Sequence, residues 1–270
     1  TGRSGLRLVP DTLAVFNDIV KEEALRLADM LASTIVVCGI PQYDIFIHQK
    51  PISRESFLSK TKLVKDKKII LFAPMGNAFS TSDWDIIDSL HLSIESQEIN
   101  QAQMLVRFQP NDFVDKKELE KRPWLIYDIP GIRFGSTRGG DWDMDDADLQ
   151  HLVDTLTHVS LLVSYTSSLS IDAALMKKPV ININFETKAN PNPLRTPTFY
   201  YKTEHYSKAV KTGGIRITKT KKALVEWINR YLENPNQDKE LREQLVNEQC
   251  AYIDGKSGER LGKFILGNLC

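Results

Sequence analysis

A cluster of hydroxyls, Thr166, Ser167, Ser168 and Ser170, follows the apolar run Leu161–Tyr165 and opens a helical stretch through Met176. A Lys177-Lys178-Pro179 break and a second apolar run, Val180–Ile183, come next. Apolar run, helix, apolar run is the pattern of a βαβ unit. Its loop delivers hydroxyls and free backbone N–H groups to a helix start, where the partial positive charge of the helix suits a phosphate. Asp172, near the first helical turn, is close enough to that loop to reach a ribose hydroxyl. The combination suits a nucleotide diphosphate held without a Walker loop. N-capping by serine and dipole complementation by an acid account for the same residues without any ligand, so the other loops matter.

Gly76, in Ala73-Pro74-Met75-Gly76-Asn77, permits close backbone approach or a positive φ, or simply makes a turn. Arg107, in Val106-Arg107-Phe108-Gln109-Pro110, stands where a strand ends and could grip a phosphate bidentately, or serve a structural ion pair. His205 lies in the aromatic, charged stretch Tyr200–Tyr206. It is a candidate for proton transfer or phosphate contact, although a lone histidine is more often a surface or packing residue. Gly213-Gly214 precede a strand and mark a turn or a close ligand approach. Near the C-terminus, Gly255 turns the chain and Ser257 can cap the last helix, which carries Arg260.

Residues 138–148, R-G-G-D-W-D-M-D-D-A-D, hold five aspartates. A calcium loop would need glycine at Asp146 and an acid at Leu152, so that reading fails. Asp141-Trp142-Asp143 has the form of a D-x-D metal motif, but it follows Arg-Gly-Gly instead of a buried strand. The favoured reading is an acidic helix start capped by Asp145 or Asp146, ahead of Leu149, Leu152, Val153 and Leu156. No metal site is expected.

The 270 residues can bury a full core in one large or two modest domains. A formal net charge of +0 argues against a general nucleic-acid partner. The three cysteines, Cys38, Cys250 and Cys270, are too few and scattered for a disulfide framework or a zinc site, and read as reduced cytosolic thiols. No apolar run has the length of a membrane span. A peripheral membrane contact, which needs only a surface patch, is compatible with the chain. The start, Thr1-Gly2-Arg3-Ser4 running into Leu13–Phe16, reads as the middle of a domain.

Stepping outward from the loops, strands are expected at Leu13–Phe16, Ile35–Cys38, Lys68–Ala73, Met104–Phe108, Trp124–Tyr127, Leu161–Tyr165, Val180–Asn184 and Ile215–Thr218. Helices are expected at Asp18–Leu31, Ser53–Ser59, Asp83–Ser96, Ala147–Thr157, Ser170–Met176, Lys221–Glu233, Gln237–Gln249 and Ser257–Leu266. This alternation predicts an α/β fold, a doubly wound parallel sheet with ligands at the carboxyl ends of its strands. Residues 1–45 read as the tail of an upstream domain and 46–65 as a linker. Residues 66–235 read as a complete α/β domain, and 236–270 as helices packing back.

Several segments resemble the C-terminal half of a GT-B glycosyltransferase, and most closely the CDP-glycerol glycerophosphotransferase-like and capsule or lipopolysaccharide biosynthesis enzymes. Cys38-Gly39-Ile40-Pro41-Gln42-Tyr43-Asp44 resembles the family's G-x-P-x-x-D, and Lys68–Pro74 its first nucleotide-domain strand. Val106–Pro110 is similar to its R-x-H-P loop. Ser167-Ser168-Leu169-Ser170-Ile171-Asp172-Ala173 with Lys178-Pro179-Val180 resembles S-S-x-x-x-D-A…K-P-V. Leu232–Pro235 and Asp254-Gly255…Glu259-Arg260 resemble its closing helices. The resemblance implies Rossmann-like domains, a nucleotide diphosphate-linked donor, no obligatory metal or other cofactor, and an acceptor-binding domain mostly absent from this chain.

On that basis the expected function is transfer of a sugar or polyol phosphate to a glycan or lipid-linked acceptor in surface polysaccharide synthesis, in the cytoplasm or at the inner face of the membrane. Arg107 and His205 are the expected catalytic residues. Gly76, Gln109, Ser167, Ser168, Ser170, Asp172, Gly213 and Gly214 are expected to line the donor. One departure stands out: Gln109 occupies the place of the family's histidine, and glutamine donates hydrogen bonds but carries neither proton nor charge. Two alternatives share the fold, a nucleotide-sugar 2-epimerase and a noncatalytic nucleotide-binding scaffold.

Overall fold

The computed structural model describes residues 9–137 and 139–268. They form two compact units, one from the described residues up to 50 together with those from 244 on, and the other from the described residues between 51 and 243.

In the first unit, strands β1 (Leu13–Val15) and β2 (Ile35–Val37) pair in parallel across helix α1 (Asp18–Leu27). Val15, Ala28, Met30 and Ile35 are its small core. Asn17 caps α1, its side-chain oxygen accepting from Val20 N at 2.9 Å. A short helix, α2 (Ile45–His48), follows. From the other end of the chain, α12 (Ser257–Gly267) joins the same unit. Asp44 accepts the backbone N–H groups of Ser257 at 3.1 Å and Gly258 at 2.8 Å, so a distant carboxylate satisfies that helix start. Cys38 and Cys250 are buried and not joined in a disulfide, whereas Cys270 lies outside the described residues.

The second unit opens with α3 (Arg54–Thr61), which packs on α6 (Asp146–His158). Its sheet is built from β3 (Lys68–Phe72), β4 (Ala102–Arg107), β5 (Tyr127–Asp128), β8 (Leu161–Ser164), β9 (Val180–Ile183) and β10 (Arg216–Thr218). A separate antiparallel ribbon pairs β6 (Ile132–Arg133) with β7 (Trp142–Asp143). All six sheet strands are parallel, in the order β5-β4-β3-β8-β9-β10. The chain therefore starts at the sheet's centre, winds to one edge, then returns to β8 and winds to the other. This is the doubly wound Rossmann order.

Burial follows from that topology. Ile70 and Phe72 pack with Ile86 and Leu90 of α4 (Asp83–Glu95) and with Leu224 and Ile228 of α10 (Lys221–Glu233). Ile69 and Leu71 point to the opposite face and are equally inaccessible, so both faces of the sheet are covered. The remaining helices are α5 (Lys116–Glu120), α7 (Leu169–Leu175), α8 (Pro197–Tyr201), α9 (Glu204–Lys211) and α11 (Lys239–Cys250).

All eight expected strands and all eight expected helices are present, with ends moved by a few residues. The stretch Tyr200–Tyr206, expected as a loop, holds the end of one helix, a break at Lys202-Thr203 and the start of the next. Thr196 caps α8 with Pro197 at its first position, the place in a helix that proline suits. Of the two candidate caps in the acidic run, Asp145 caps α6 in a reciprocal box with Asp148.

Candidate functional site

The winding direction reverses between β3 and β8, and ligands of doubly wound sheets bind at such a switch point, beyond the carboxyl ends of the strands. The loops there are Ala73–Ser82 after β3, Phe108–Val114 after β4, and Tyr165–Ser168 after β8. Ser164 donates to Ala73 O at 3.0 Å, tying the two central strands together at the edge.

The hydroxyl loop does not have the form the sequence led us to expect. Ser168 holds the N-cap position of α7, yet its side chain makes no cap. The residue is exposed. Ser167 takes the neighbouring role, its Oγ accepting from Leu169 N at 3.2 Å. The N–H groups of Ser170, Ile171 and Asp172 are bonded to Ser167 O and Ser168 O, so the first turn closes on itself instead of leaving those groups free. Ser170 is fully buried, and its hydroxyl bonds Asn182 Oδ1 at 3.1 Å. Asn182 in turn donates to the Tyr206 hydroxyl at 2.7 Å, and that hydroxyl reaches Ser167 O at 3.3 Å. Ser170 thus belongs to a buried network that fixes the loop from below. Asp172 is half-buried in the first turn of α7.

The β3 loop is held by two acids. Gly76, at φ +89°, donates its N–H to Asp83 Oδ2 at 2.7 Å, while Met75 N reaches Asp83 Oδ1 at 3.3 Å. Asn77 N donates to Asp112 Oδ2 at 2.8 Å. A Cβ at Gly76 would fall 2.4 Å from that same Asp112 oxygen, so glycine is required on two counts. Gln109 closes the third side, donating to Met75 O at 2.7 Å. Asp83 is buried, and burial pushes its carboxyl up to about 6 against the lowering pull of the Gly76 and Met75 N–H groups. The buried Tyr165 phenol, at the end of β8, is raised by burial and by the Asp83 charge. Asp83, Asp112, Asn182 and Tyr206 escaped the sequence reading. Only the position of Asp83 at a helix start was visible, and that says nothing of its reach back to Gly76.

Arg107, also buried, is ion-paired with Asp128, which His151 Nε2 approaches at 3.1 Å. Burial alone would raise Asp128, but the His151 hydrogen bond and the Arg107 charge hold it below the usual carboxylate range. On this side of the edge a cavity of about 510 Å³ is lined by Asp112, Phe113, Tyr127, Ile129 and Arg133. The Arg133 guanidinium lies 4.1 Å over the Phe113 ring.

Gly213 and Gly214 are not part of this assembly. They precede β10 and so sit at the amino edge of the parallel sheet, the opposite side from Gly76, Gln109 and Ser168. Gly213 is needed there for its φ of +77°. The backbone of His205 lies in the first turn of α9, next to Tyr206, and its side chain lies outside the described residues. In the acidic run, Asp141 Oδ2 accepts from Thr137 N at 2.8 Å and Asp143 Oδ1 from Met144 N at 2.8 Å. These are turn-stabilising bonds in the β6–β7 ribbon.

Residues 10–267 match the profile of the CDP-glycerol:poly(glycerophosphate) glycerophosphotransferases. The chain belongs to this family. Among curated proteins it is similar to two teichoic acid ribitol-phosphate polymerases of Staphylococcus aureus (strain NCTC 8325 / PS 47). TarK is 26% identical over 235 residues, 85% of this chain and 40% of that protein. TarL is 25% identical over 240 residues, covering 87% and 37%. The chain therefore spans about two fifths of the length of these relatives. Among solved structures, the wall teichoic acid polymerase TagF soaked with CDPG superposes with a TM-score of 0.55 at 15% identity, over 95% of this chain and 56% of that one. A putative UDP-N-acetylglucosamine 2-epimerase from Listeria monocytogenes gives 0.58 at 17% identity, over 94% and 58%. These likenesses establish the GT-B type α/β fold. Among the described residues no helix is long and apolar enough to cross a membrane.

Proposed function

We propose that this chain is the donor-side part of a polyol-phosphate transferase. It would take a nucleotide diphosphate-linked polyol and extend a glycan or lipid-linked acceptor of the teichoic acid type. What supports the reading is that the loops bearing Gly76, Gln109 and the exposed Ser168 follow β3, β4 and β8, the neighbouring central strands of a Rossmann-ordered sheet, and so leave it at its carboxyl edge. Membership of the glycerophosphotransferase family and the similarity to two ribitol-phosphate polymerases support it.

In the proposed reaction an acceptor hydroxyl oxygen bonds to the phosphorus bearing the polyol. The bond from that phosphorus to the bridging oxygen breaks, and the nucleoside monophosphate leaves with the electron pair. The acceptor's proton passes to a base, for which His205 is the candidate. Charge grows on the leaving phosphate, and hydroxyls preset toward it lower the barrier. Ser167 and Ser168 are assigned to the diphosphate and Asp172 to the ribose. The cavity beside Asp112 is assigned to one organic end of the donor. Arg107, already matched by Asp128, acts through the electrostatics of that edge.

The test uses the full-length protein with CDP-glycerol, CDP-ribitol and UDP-N-acetylglucosamine, with and without a polyol-phosphate primer. Primer-dependent release of CMP supports the proposal. Interconversion of the sugar donor would assign the 2-epimerase chemistry instead, and binding without turnover would assign a noncatalytic role.

A further inference from the structure

The loop after β3 spends three successive backbone N–H groups, those of Met75, Gly76 and Asn77, on two carboxylates. These N–H groups are therefore turned toward the protein, unlike those of a glycine loop that cradles a phosphate. The two acids come from different elements: Asp83 opens α4, and Asp112 follows β4. Asp83 does not serve its own helix. Its two oxygens reach back to Met75 and Gly76, and Ser82, at the N-cap position, makes no side-chain cap but accepts from Thr187 N at 2.9 Å. A buried carboxylate is costly to hold ionised, and groups held so tend to sit where function needs them.

The geometry points to Asp83 as a positioning residue for donor binding: its carboxylate fixes the Met75–Gly76 turn, and with it the carbonyl that anchors Gln109, at the switch point. Two side chains stand out among the groups facing it. Ser80 contributes from the turn before α4, and the Tyr165 phenol from the end of β8. The Tyr201 phenol lies beyond Tyr165, and Asp112 stands across the turn from Gly76. The largest influences on its ionisation are burial and the N–H groups it accepts. Protonation puts a hydrogen on one of the two accepting oxygens, and one N–H of the turn loses its partner. The turn is therefore set above about pH 6 and loosened below it.

The binding arm of this inference rests on the donor reading above; the second arm does not. Calorimetry with CDP-glycerol is the binding probe, because its fully esterified diphosphate does not titrate between pH 5 and 8. In the wild-type chain the dissociation constant should rise about tenfold from pH 7.5 to 5.0. Asp83→Asn should bind about tenfold more weakly at pH 7.5, with no inflection near 6. In the second arm, amide chemical shifts of Met75 and Gly76 are followed by NMR without ligand, and should titrate together near pH 6. Shifts that stay flat from pH 5 to 8, or an Asp83→Asn protein that binds as tightly as wild type with the wild-type pH profile, would overturn the inference. If the wild-type chain binds no nucleotide at all, the donor reading fails, and the NMR titration still decides whether Asp83 sets the turn. If Asp83→Asn does not fold, the same titration of the wild-type chain decides.

Discussion

Ser168 and Ser170 lie two residues apart in the same hydroxyl loop, and the structure gives them opposite tasks. Ser170 is fully buried, and its hydroxyl is bonded to Asn182, itself inaccessible to solvent. Ser170→Ala removes one hydrogen bond and leaves Asn182 Oδ1 without that partner. Losing a buried partner costs about 1–3 kcal/mol, whereas a net neutral hydrogen bond is worth about 1 kcal/mol. The apolar methylene of serine stays in place as the alanine methyl, so no cavity term adds to it. The expected loss of stability is about 2 kcal/mol. Ser168 is exposed and makes no cap. Ser168→Ala should therefore change stability by less than about 0.5 kcal/mol. If its hydroxyl donates to a charged phosphate oxygen, binding should weaken by about 1.5–3 kcal/mol, a little over tenfold to somewhat over a hundredfold. Urea unfolding with linear extrapolation reads the first quantity, and calorimetry with CDP-glycerol reads the second. The assignment fails if Ser168→Ala binds like wild type. It fails equally if Ser170→Ala keeps full stability and loses affinity, because then the inward hydroxyl would be the one that meets the ligand.

Gly76→Ala should cost about 2–4 kcal/mol, summing the left-handed penalty and the displaced Asp112 bond to Asn77. Gly140→Ala, whose Cβ meets nothing nearer than 3.7 Å, is the control and should unfold at the wild-type urea midpoint. The pH dependence of stability isolates Asp83. Its carboxyl sits at about 6 in the folded chain against an ordinary 3.8, so the native state binds the extra proton between those values. The ionised carboxylate therefore costs stability above pH 6, and this cost is relieved as the pH falls from 6 toward 4, by about 3 kcal/mol in all. Relative to Asp83→Asn, wild type should gain stability across that window, and parallel curves would refute the shift. Asp145→Ala should destabilise by about 1 kcal/mol through loss of the α6 cap. Because the acidic run is used in turns and that cap, nucleotide binding should survive EDTA, and loss of binding restored by manganese would return the run to metal chemistry.

The fold was legible because its signal is carried by strands buried on both faces. Ile69–Phe72 and Leu161–Val163 are unbroken apolar runs, Val180–Ile183 is interrupted only by Asn182, and the helix before that last run stops at Lys-Lys-Pro. The β6–β7 ribbon was not legible. Each of its strands is two residues long, and Ile132 and Asp143 are exposed, so neither period nor burial marks it.

The site was legible only in part, and the failures share a cause. A sequence shows which residues stand at a strand's end, but not which edge of the sheet that end belongs to, or which way a hydroxyl turns. Gly213 and Gly214 have the composition of a ligand loop, and they enter a strand where Gly76 leaves one. Ser170 and Ser168 are indistinguishable as letters, and the packing of Asn182 and Tyr206 beneath the loop separates them. Gln109 is the sharpest case. As a substitution for histidine it looks like the loss of a catalytic group. In place, its amide bonds the carbonyl of Met75, the residue whose N–H Asp83 accepts. The loops after β3 and β4 are thus clamped by the Asp112 carboxylate and by the Gln109 amide, which does not depend on a proton at position 109. In the proposed reaction, stabilising charge on a departing phosphate asks for fixed donors, and an amide at position 109 can supply one.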